Sequence, residues 1–277
     1  PGFINIFLNH SGTLKIIKDI LNKNTIREEA DSKKIQVEFV SANPTGPLHV
    51  GHGRGAIYGD VISKLLEKKG HEVQKEYYVN DAGRQIDILT ASVYLRAIEI
   101  EDNIFPESAY RGEYIKEIAK NANLQDAVNI DDLFKSLPED DEEKIDKIIS
   151  HLKSAKKDWQ SIKKVSLESV LSTIEKDLED FGVTFDNWFL ESSLLGADSK
   201  IDAAVQQLNT NNLIDNRDGN IWFKSSDFGD DKDRVLIRAD GRQTYFASDV
   251  AYHKDKLDRG FDEIINIWGS DHHGYIK

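Results

Sequence analysis

Residues 37–52 read VEFVSANPTGPLHVGH, which combines an apolar strand, a loop rich in proline and glycine, and two histidines ahead of a helix. Apolar and polar residues alternate up to Phe39, which is typical of a strand. Pro44 and Pro47 cannot pair as strand residues, and Gly46 allows a tight bend. These residues predict a strand that ends in a short loop directly before a helix.

His49 and His52 lie three positions apart at that helix start. A metal site would need a third ligand, and histidine pairs on metal-binding helices usually lie four positions apart rather than three. The adjacent glycines let backbone N–H groups approach a ligand, and the positive end of a helix favours an anion. The pattern therefore favours a polyphosphate site, with two surface histidines in a glycine-rich turn as the alternative.

The residues after this loop predict a helix from Gly53, and Gly70 ends it because glycine readily adopts the left-handed cap conformation. Residues 73–79 have the next strand pattern, which completes a βαβ unit whose right-handed crossover makes the two strands parallel. A second loop of similar character, at 269–274, follows an apolar strand at 264–268. Two such loops predict one nucleotide held between two halves of a parallel sheet.

The composition excludes some classes of protein and site. Lys and Arg number 36 against 49 Asp and Glu, so the net charge of −13 argues against a general polyanion-binding surface and suits a pocket for a cationic ligand. The absence of Cys excludes disulfides and thiolate metal sites, and it fits a cytoplasmic protein. No apolar run approaches the roughly 20 residues of a membrane span.

Three segments carry a resemblance to a known family: residues 38–52, residues 78–85 with the sequence YVNDAGRQ, and residues 240–254 with the sequence DGRQTYFASDVAYHK. Together they resemble the arginyl-tRNA synthetases, a family of class I aminoacyl-tRNA synthetases whose signature contains His-x-Gly-His. The resemblance covers most of residues 35–98 and 215–277.

The resemblance implies a fold as well as an activity. The expected fold class is α/β, with a Rossmann-like nucleotide-binding parallel sheet and a largely helical insertion. Strand patterns return at 221–223 and 235–237, and a helix is predicted from Ser248 to Arg259. We divide the chain into a remnant of an N-terminal domain and linker at 1–30, the first half of the catalytic domain at 31–98, the mostly helical insertion at 99–215 and the second half of the catalytic domain at 216–277.

The activity that the resemblance implies is that of an arginine–tRNA ligase. In this family the carboxylate of arginine attacks the α-phosphorus of ATP, giving arginyl-adenylate and pyrophosphate, and the arginyl group then passes to the 3′ end of its tRNA. ATP with Mg²⁺ is the implied cofactor, arginine and its tRNA are the implied partners, and no protein-held metal is expected. Because no covalent enzyme intermediate forms, catalysis would rest on positioning and charge stabilisation.

The family match also assigns site residues by position. The expected catalytic residues, which also bind ATP, are His49 and His52. The other expected ATP contacts are Gly46, Pro47, Gly51, Gly269, Asp271 and His272. The expected arginine contacts are Glu38, Ser41, Asn43, Tyr245 and Asp249. The residues expected to organise the pocket are Asn80, Asp81, Gly83 and Gln85.

The arginine contacts have simpler structural alternatives. A guanidinium offers a planar fork of donors that carboxylates match in pairs, which suits Asp249, but the helix dipole also favours an acid in a first turn. Glu38 could face solvent on an edge strand, and Tyr245 could be an ordinary core residue. The residues alone leave these alternatives open.

Members of this family normally continue with a lysine-containing second signature loop and a helical anticodon-binding domain, neither of which occurs up to Lys277. We therefore expect residues 1–277 to belong to a longer, monomeric enzyme and to show little activity alone. The alternatives are another class I synthetase of the glutamyl or cysteinyl type, a small adenylyltransferase, or a non-catalytic amino-acid-binding module.

Overall fold

The structure of the chain is a computed structural model that describes residues 10–22, 32–122, 124, 130–196 and 198–269. The expected ATP contacts Asp271 and His272 lie outside these residues. Within this part of the chain, no helix combines the length and the apolarity that crossing a membrane requires.

The described residues form both helices and strands, with a run of five helices in the middle of the chain and a run of three strands near its end. The helices are α1 (His10–Leu21), α2 (Val50–Lys69), α3 (Arg84–Ala97), α4 (Glu113–Lys120), α5 (Asp131–Phe134), α6 (Asp141–Leu152), α7 (Lys156–Asp180), α8 (Lys200–Thr210) and α9 (Tyr245–Asp258). The strands are β1 (Lys34–Glu38), β2 (Glu72–Val79), β3 (Asn187–Leu190), β4 (Ile214–Arg217), β5 (Asn220–Phe223), β6 (Arg234–Ile237) and β7 (Glu263–Asn266).

A parallel sheet with the strand order β3-β2-β1-β7 forms the centre of the fold. The predicted βαβ unit is confirmed as β1, α2 and β2. The chain leaves β1 towards β2, whereas β7 pairs with the opposite side of β1, so the strand order reverses at β1. In open parallel sheets, ligands bind outside the carboxyl ends of the strands at such a reversal. The loop after β1 lies at this place.

Two predictions about the sheets differ from the structure. Strand β3 lies within the range 99–215 that was predicted as insertion, yet it pairs with β2 and so belongs to the central sheet. The strand patterns at 221–223 and 235–237 form a separate antiparallel sheet with β4, not a continuation of the parallel sheet. A strand pattern indicates which faces of a segment are buried but not which strand pairs with it, so the sequence could not separate the two sheets.

Two helices begin earlier than the sequence predicts. Helix α2 begins at Val50 and α9 at Tyr245, in each case three residues before the predicted start. The caps are His49 and Thr244, whose side chains accept backbone N–H groups of the first turn. Threonine is a common cap but histidine is not, so the start of α2 carried no ordinary capping signal.

Helix α2 packs against the end of β1 at a glycine. A Cβ atom on Gly59 would lie 2.1 Å from Cγ of Phe39, whose side chain is fully buried. The Phe39 ring also contacts Phe185, with 4.4 Å between the ring centroids. This close approach brings the helix that carries the two histidines directly onto the central strand.

We expect Gly59→Ala to lower the free energy of unfolding by about 3 kcal/mol, because the added methyl group overlaps a buried ring in a close-packed core. Gly55→Ala in the same helix is the matched control, since its Cβ would meet nothing within 4 Å. Alanine is favoured over glycine inside helices by about 1 kcal/mol, so the control should gain stability. Urea unfolding measures both changes, and equal stability of the two variants would contradict this packing.

Candidate active site

The two histidines of the loop after β1 cap helix α2 with their side chains. The Gly51 N–H donates to Nδ1 of His49 at 3.1 Å, and the His49 N–H donates to Nδ1 of His52 at 3.2 Å. The two rings stack with their centroids 3.8 Å apart and 20° between their planes. This reciprocal capping box satisfies backbone donors that a helix start otherwise leaves unpaired.

The capping bonds fix the tautomer of both imidazoles. Because Nδ1 of each ring accepts a hydrogen bond, each neutral ring carries its proton on Nε2, where it can donate to an anion. Burial lowers the pKa of His52, and the neighbouring His49 lowers that pKa further. His52 therefore stays neutral and keeps its capping bond at neutral pH. Pro47, another expected ATP contact, is exposed in the loop just before this cap.

Two glycines of the loop make room for neighbouring rings. A Cβ atom on Gly51 would lie 2.9 Å from Cε1 of His49, so a larger residue would push the imidazole off its cap. A Cβ atom on Gly46 would lie 3.1 Å from the hydroxyl oxygen of Tyr114. Tyr114, from α4, donates to the Thr45 carbonyl at 2.5 Å and so holds the loop from the side of the insertion. Direct contact of these glycines with ATP stays a prediction.

The backbone bends sharply between β1 and the loop. Val40 and Ser41 have φ angles of 65° and 42°, and such left-handed conformations cost non-glycine residues about 1 to 3 kcal/mol each. The Ser41 hydroxyl donates to Oε1 of Glu38 at 3.0 Å and accepts the Tyr78 N–H at 3.0 Å. Glu38 lies on an interior strand and is 6% exposed, so the alternative that it faces solvent on an edge strand is wrong. Its role as an arginine contact, and that of Ser41, stay predictions.

An acid that the sequence analysis did not single out lies at this site. Glu191 follows β3 directly and is buried. With its side-chain amide assigned so that the nitrogen donates, Asn80 lies 2.5 Å from Oε2 of Glu191 and 2.9 Å from the Ala82 carbonyl, and its other amide atom lies 3.2 Å from Oδ1 of Asn43. Asn43 and Asn80 therefore meet beside Glu191. The sequence signal for Glu191 was an acid directly after an apolar strand. That strand lay in the range interpreted as a helical insertion.

Negative charge accumulates around Glu191. Burial raises the pKa of its carboxyl, and the charges of Asp81 and Asp249 raise it further, against hydrogen bonds from Ser248 and Tyr78. Burial also raises the pKa of Tyr78, and the charges of Glu191 and Asp249 add to that shift. Carboxylates that oppose one another's ionisation are stabilised by a bound cation. The cluster of Asp81, Glu191 and Asp249, here called the acid cluster, is therefore suited to a positively charged ligand.

The start of α9 borders the acid cluster. Tyr245 is 66% exposed, so the alternative that it is a core residue is wrong. Its hydroxyl oxygen lies 3.8 Å from the place where a Cβ would stand on Gly83. Asp249 lies beyond the first turn of α9, and that turn contains no acid, so the helix-dipole alternative does not explain it. Gln85 is exposed in the first turn of α3.

A cavity of about 410 Å³ opens between α8 and α9. Its wall is largely apolar and includes Leu208, Phe246 and Trp268, and Asp249 also lines it. Asp249 therefore borders a space of the size that small ligands occupy. Trp268, which lines the cavity, follows β7 and directly precedes the exposed Gly269.

We expect acid to weaken the cap of α2. His52 has a lowered pKa in the folded protein, so below the ordinary histidine value of about 6.5 the unfolded chain binds the proton more readily. The stabilising contribution is complete above about pH 6.5 and is lost as the pH falls through the lower folded-state pKa. Thermal unfolding at a series of pH values measures the loss.

His52→Gln is the control for this pH dependence, because glutamine at the third helical position can accept the same backbone N–H without titrating. Its midpoint of thermal unfolding should fall less on acidification than that of the unaltered protein. An equal fall in both proteins would assign the acid sensitivity to other groups.

Comparison with known proteins agrees with these features. A family model described as "tRNA synthetases class I (R), catalytic domain" matches residues 15–277. The arginine–tRNA ligase of Psychrobacter cryohalolentis is 46% identical over 303 aligned positions, which cover all of this chain and 49% of that protein. The arginine–tRNA ligase of Acinetobacter baylyi is 46% identical over 305 positions, covering all of this chain and 51% of that protein.

Solved structures resemble the fold. A crystal structure from Campylobacter jejuni assigned as an arginyl-tRNA synthetase superposes with a TM-score of 0.72 at 38% identity, covering 94% of this chain and 53% of that one. The Thermus thermophilus arginyl-tRNA synthetase, at 22% identity and a TM-score of 0.57, covers 85% of this chain and 38% of that one and shows the fold alone. The chain spans about half the length of the curated relatives that it matches.

Proposed function

Because the chain belongs to the class I tRNA synthetase (R) catalytic-domain family, we propose that the protein carrying it is an arginine–tRNA ligase. This enzyme activates arginine with ATP and passes the arginyl group to the 3′ end of an arginine-specific tRNA. The observation that supports the substrate is the acid cluster beside the loop after β1, where burial and mutual repulsion leave negative charge for a cation to neutralise.

In this proposal the two capped histidines bind the triphosphate. The Nε2–H groups of His49 and His52 donate to phosphate oxygens, whose negative charge shifts as the arginine carboxylate attacks the α-phosphorus and pyrophosphate leaves. The capping bonds of Nδ1 hold both rings in place beforehand, so little reorganisation is needed when the charge develops. The start of α2 adds partial positive charge at the same point.

The implied Mg²⁺ would be carried by the nucleotide. Mg²⁺ usually keeps several waters and binds through phosphate oxygens with only one or two carboxylates. We therefore propose that Mg²⁺ enters bound to ATP and neutralises phosphate charge there.

The acid cluster recognises the guanidinium group in this proposal. Glu191 and Asp249 accept from its planar fork of N–H donors, a geometry that favours arginine over lysine. Tyr245, exposed at the start of α9, covers the plane of the group. Asn43 contacts the α-amino or carboxylate end of the amino acid, which places that carboxylate towards the loop with the histidines.

Arginine-dependent exchange of pyrophosphate into ATP, measured on the natural protein that carries this chain with and without tRNA, tests the proposal. We expect exchange with arginine when tRNA is present. Exchange with lysine or glutamate in place of arginine would contradict it. Arginine binding by calorimetry without any exchange would instead support a non-catalytic amino-acid-binding module.

A further inference from the structure

A buried lysine contacts the ends of two neighbouring strands of the central sheet. Lys256, on α9, is 0% exposed. Its ammonium donates to Oε2 of Glu38 at 2.5 Å and to Oδ1 of Asn266 at 2.7 Å. Glu38 is the last residue of β1 and Asn266 is the last residue of β7. One side chain of α9 thus joins the carboxyl ends of the two strands between which a nucleotide is expected.

The contact continues from Glu38 into the strained turn. Oε1 of Glu38 accepts the Ser41 hydroxyl, and Ser41 in turn accepts the Tyr78 N–H. Left-handed conformations such as those of Val40 and Ser41 persist only where the surroundings enforce them. By holding the Glu38 carboxylate, the ammonium of Lys256 helps to enforce this turn, which sets the direction of the loop towards His49.

The contact also continues from Asn266 towards the acid cluster. Nδ2 of Asn266 lies 3.1 Å from Nε2 of His253, and Nδ1 of His253 lies 2.9 Å from the carbonyl oxygen of Asp249. The His253 ring meets the Trp268 ring edge to face, with 6.4 Å between centroids. Lys256 is therefore linked both to the histidine loop and to the helical turn that carries Asp249.

Stability alone does not explain such a pair. A buried ammonium and carboxylate are often no more stabilising than apolar residues of the same volume, because desolvation offsets their attraction. The pair does hold both partners in one defined geometry. The Tyr252 ring, 4.3 Å from the ammonium, helps to confine it.

We propose that Lys256 is a positioning residue for arginine activation, which holds the loop after β1 and the segment after β7 in one arrangement. In this arrangement His49 and His52 can contact the phosphates of ATP from one side. Asp249 can contact arginine from the other side, so that the reacting ends of the two substrates lie next to each other. This inference rests on the proposed function, and it adds a residue that contacts neither substrate.

Lys256→Met tests the proposal in the natural protein that carries this chain. The variant lacks the ammonium and leaves Glu38 buried without a counter-charge, so thermal stability should fall. The kcat of arginine-dependent exchange should fall about thirty- to a hundredfold, because a misplacement of reacting groups by about 1 Å can cost about a hundredfold. Lys116→Met is the matched control, since Lys116 pairs with Glu113 on the surface of α4 and should leave exchange unchanged.

The double variant Lys256→Met/Glu38→Gln separates positioning from stability. It removes both buried charges at similar volume, so thermal stability should return towards that of the unaltered protein. Its kcat at saturating arginine should stay at least about tenfold low, because nothing then fixes the acceptor that holds Ser41, whereas a lost arginine contact at Glu38 would raise the KM for arginine.

Two results would overturn the positioning role. One is a double variant that recovers turnover together with stability, and the other is a Lys256→Met protein that keeps its turnover within about twofold. Failure of the proposed function itself would be distinguishable, because the unaltered protein would then show no arginine-dependent exchange.

Discussion

Replacement of His52 by alanine is expected to lower the kcat of arginine-dependent ATP–pyrophosphate exchange about a hundredfold or more, because a preorganised donor to the phosphate oxygens is lost. The KM for arginine should change little, since the acid cluster that recognises the guanidinium does not include this residue. Steady-state exchange at saturating and limiting arginine separates the two parameters. A His52→Ala protein with unchanged kcat would exclude the imidazole from transition-state stabilisation.

The second role of His52, as part of the cap of α2, needs its own control. Nδ1 of His52 accepts the His49 N–H, and loss of a capping interaction costs about 1 kcal/mol. Glutamine at this position preserves the cap but replaces the Nε2–H donor with an amide in another position. We expect His52→Gln to unfold like the unaltered protein at neutral pH and to remain impaired in turnover. Recovery of turnover by glutamine would show that the cap alone matters.

Replacement of Asp249 by asparagine is expected to raise the KM for arginine about ten- to a hundredfold, because a charge-assisted hydrogen bond from the guanidinium to this carboxylate, which is exposed without substrate, is worth about 1.5 to 3 kcal/mol. The KM for ATP should stay within about threefold, which is the scale of an indirect effect. The variant keeps the size of the side chain, so the cavity between α8 and α9 is preserved. Exchange kinetics with arginine and ATP varied in turn measure both constants.

Asp258→Asn is the matched control for Asp249→Asn, because Asp258 ends the same helix, is 62% exposed and pairs with Lys254. This control should leave the KM for arginine unchanged. An equal effect of the two substitutions would assign the change to the total charge of α9. If Asp249→Asn bound arginine normally, the acid cluster would not be the arginine site.

The sequence predicted the central βαβ unit because its signals are local. Proline and glycine in the loop limit how far β1 can extend, and the apolar spacing after the loop has a helical period. The two histidines were also visible as a candidate phosphate site. Their capping role was not visible in the sequence, because histidine is an uncommon helix cap and so gives no recognisable capping pattern.

The acid cluster was only partly predictable. Asp81 and Asp249 came from segments that resemble a known family, whereas Glu191 lay in a range interpreted as insertion. Its strand, β3, joins the sheet beside β2, and pairing between strands distant in sequence depends on tertiary packing. Lys256 was missed for a similar reason, because its partners Glu38 and Asn266 come from two other elements of the chain.

The sequence by itself determined the class of fold, the loop with the two histidines and the family, because these depend on residues that are neighbours along the chain. Only the tertiary structure decided that Glu191 joins Asp81 and Asp249 and that Lys256 contacts both strand ends. Glu191 and Lys256 are buried in the folded protein. A carboxylate or an ammonium removed from water depends on its nearest partner, and folding alone determines that partner.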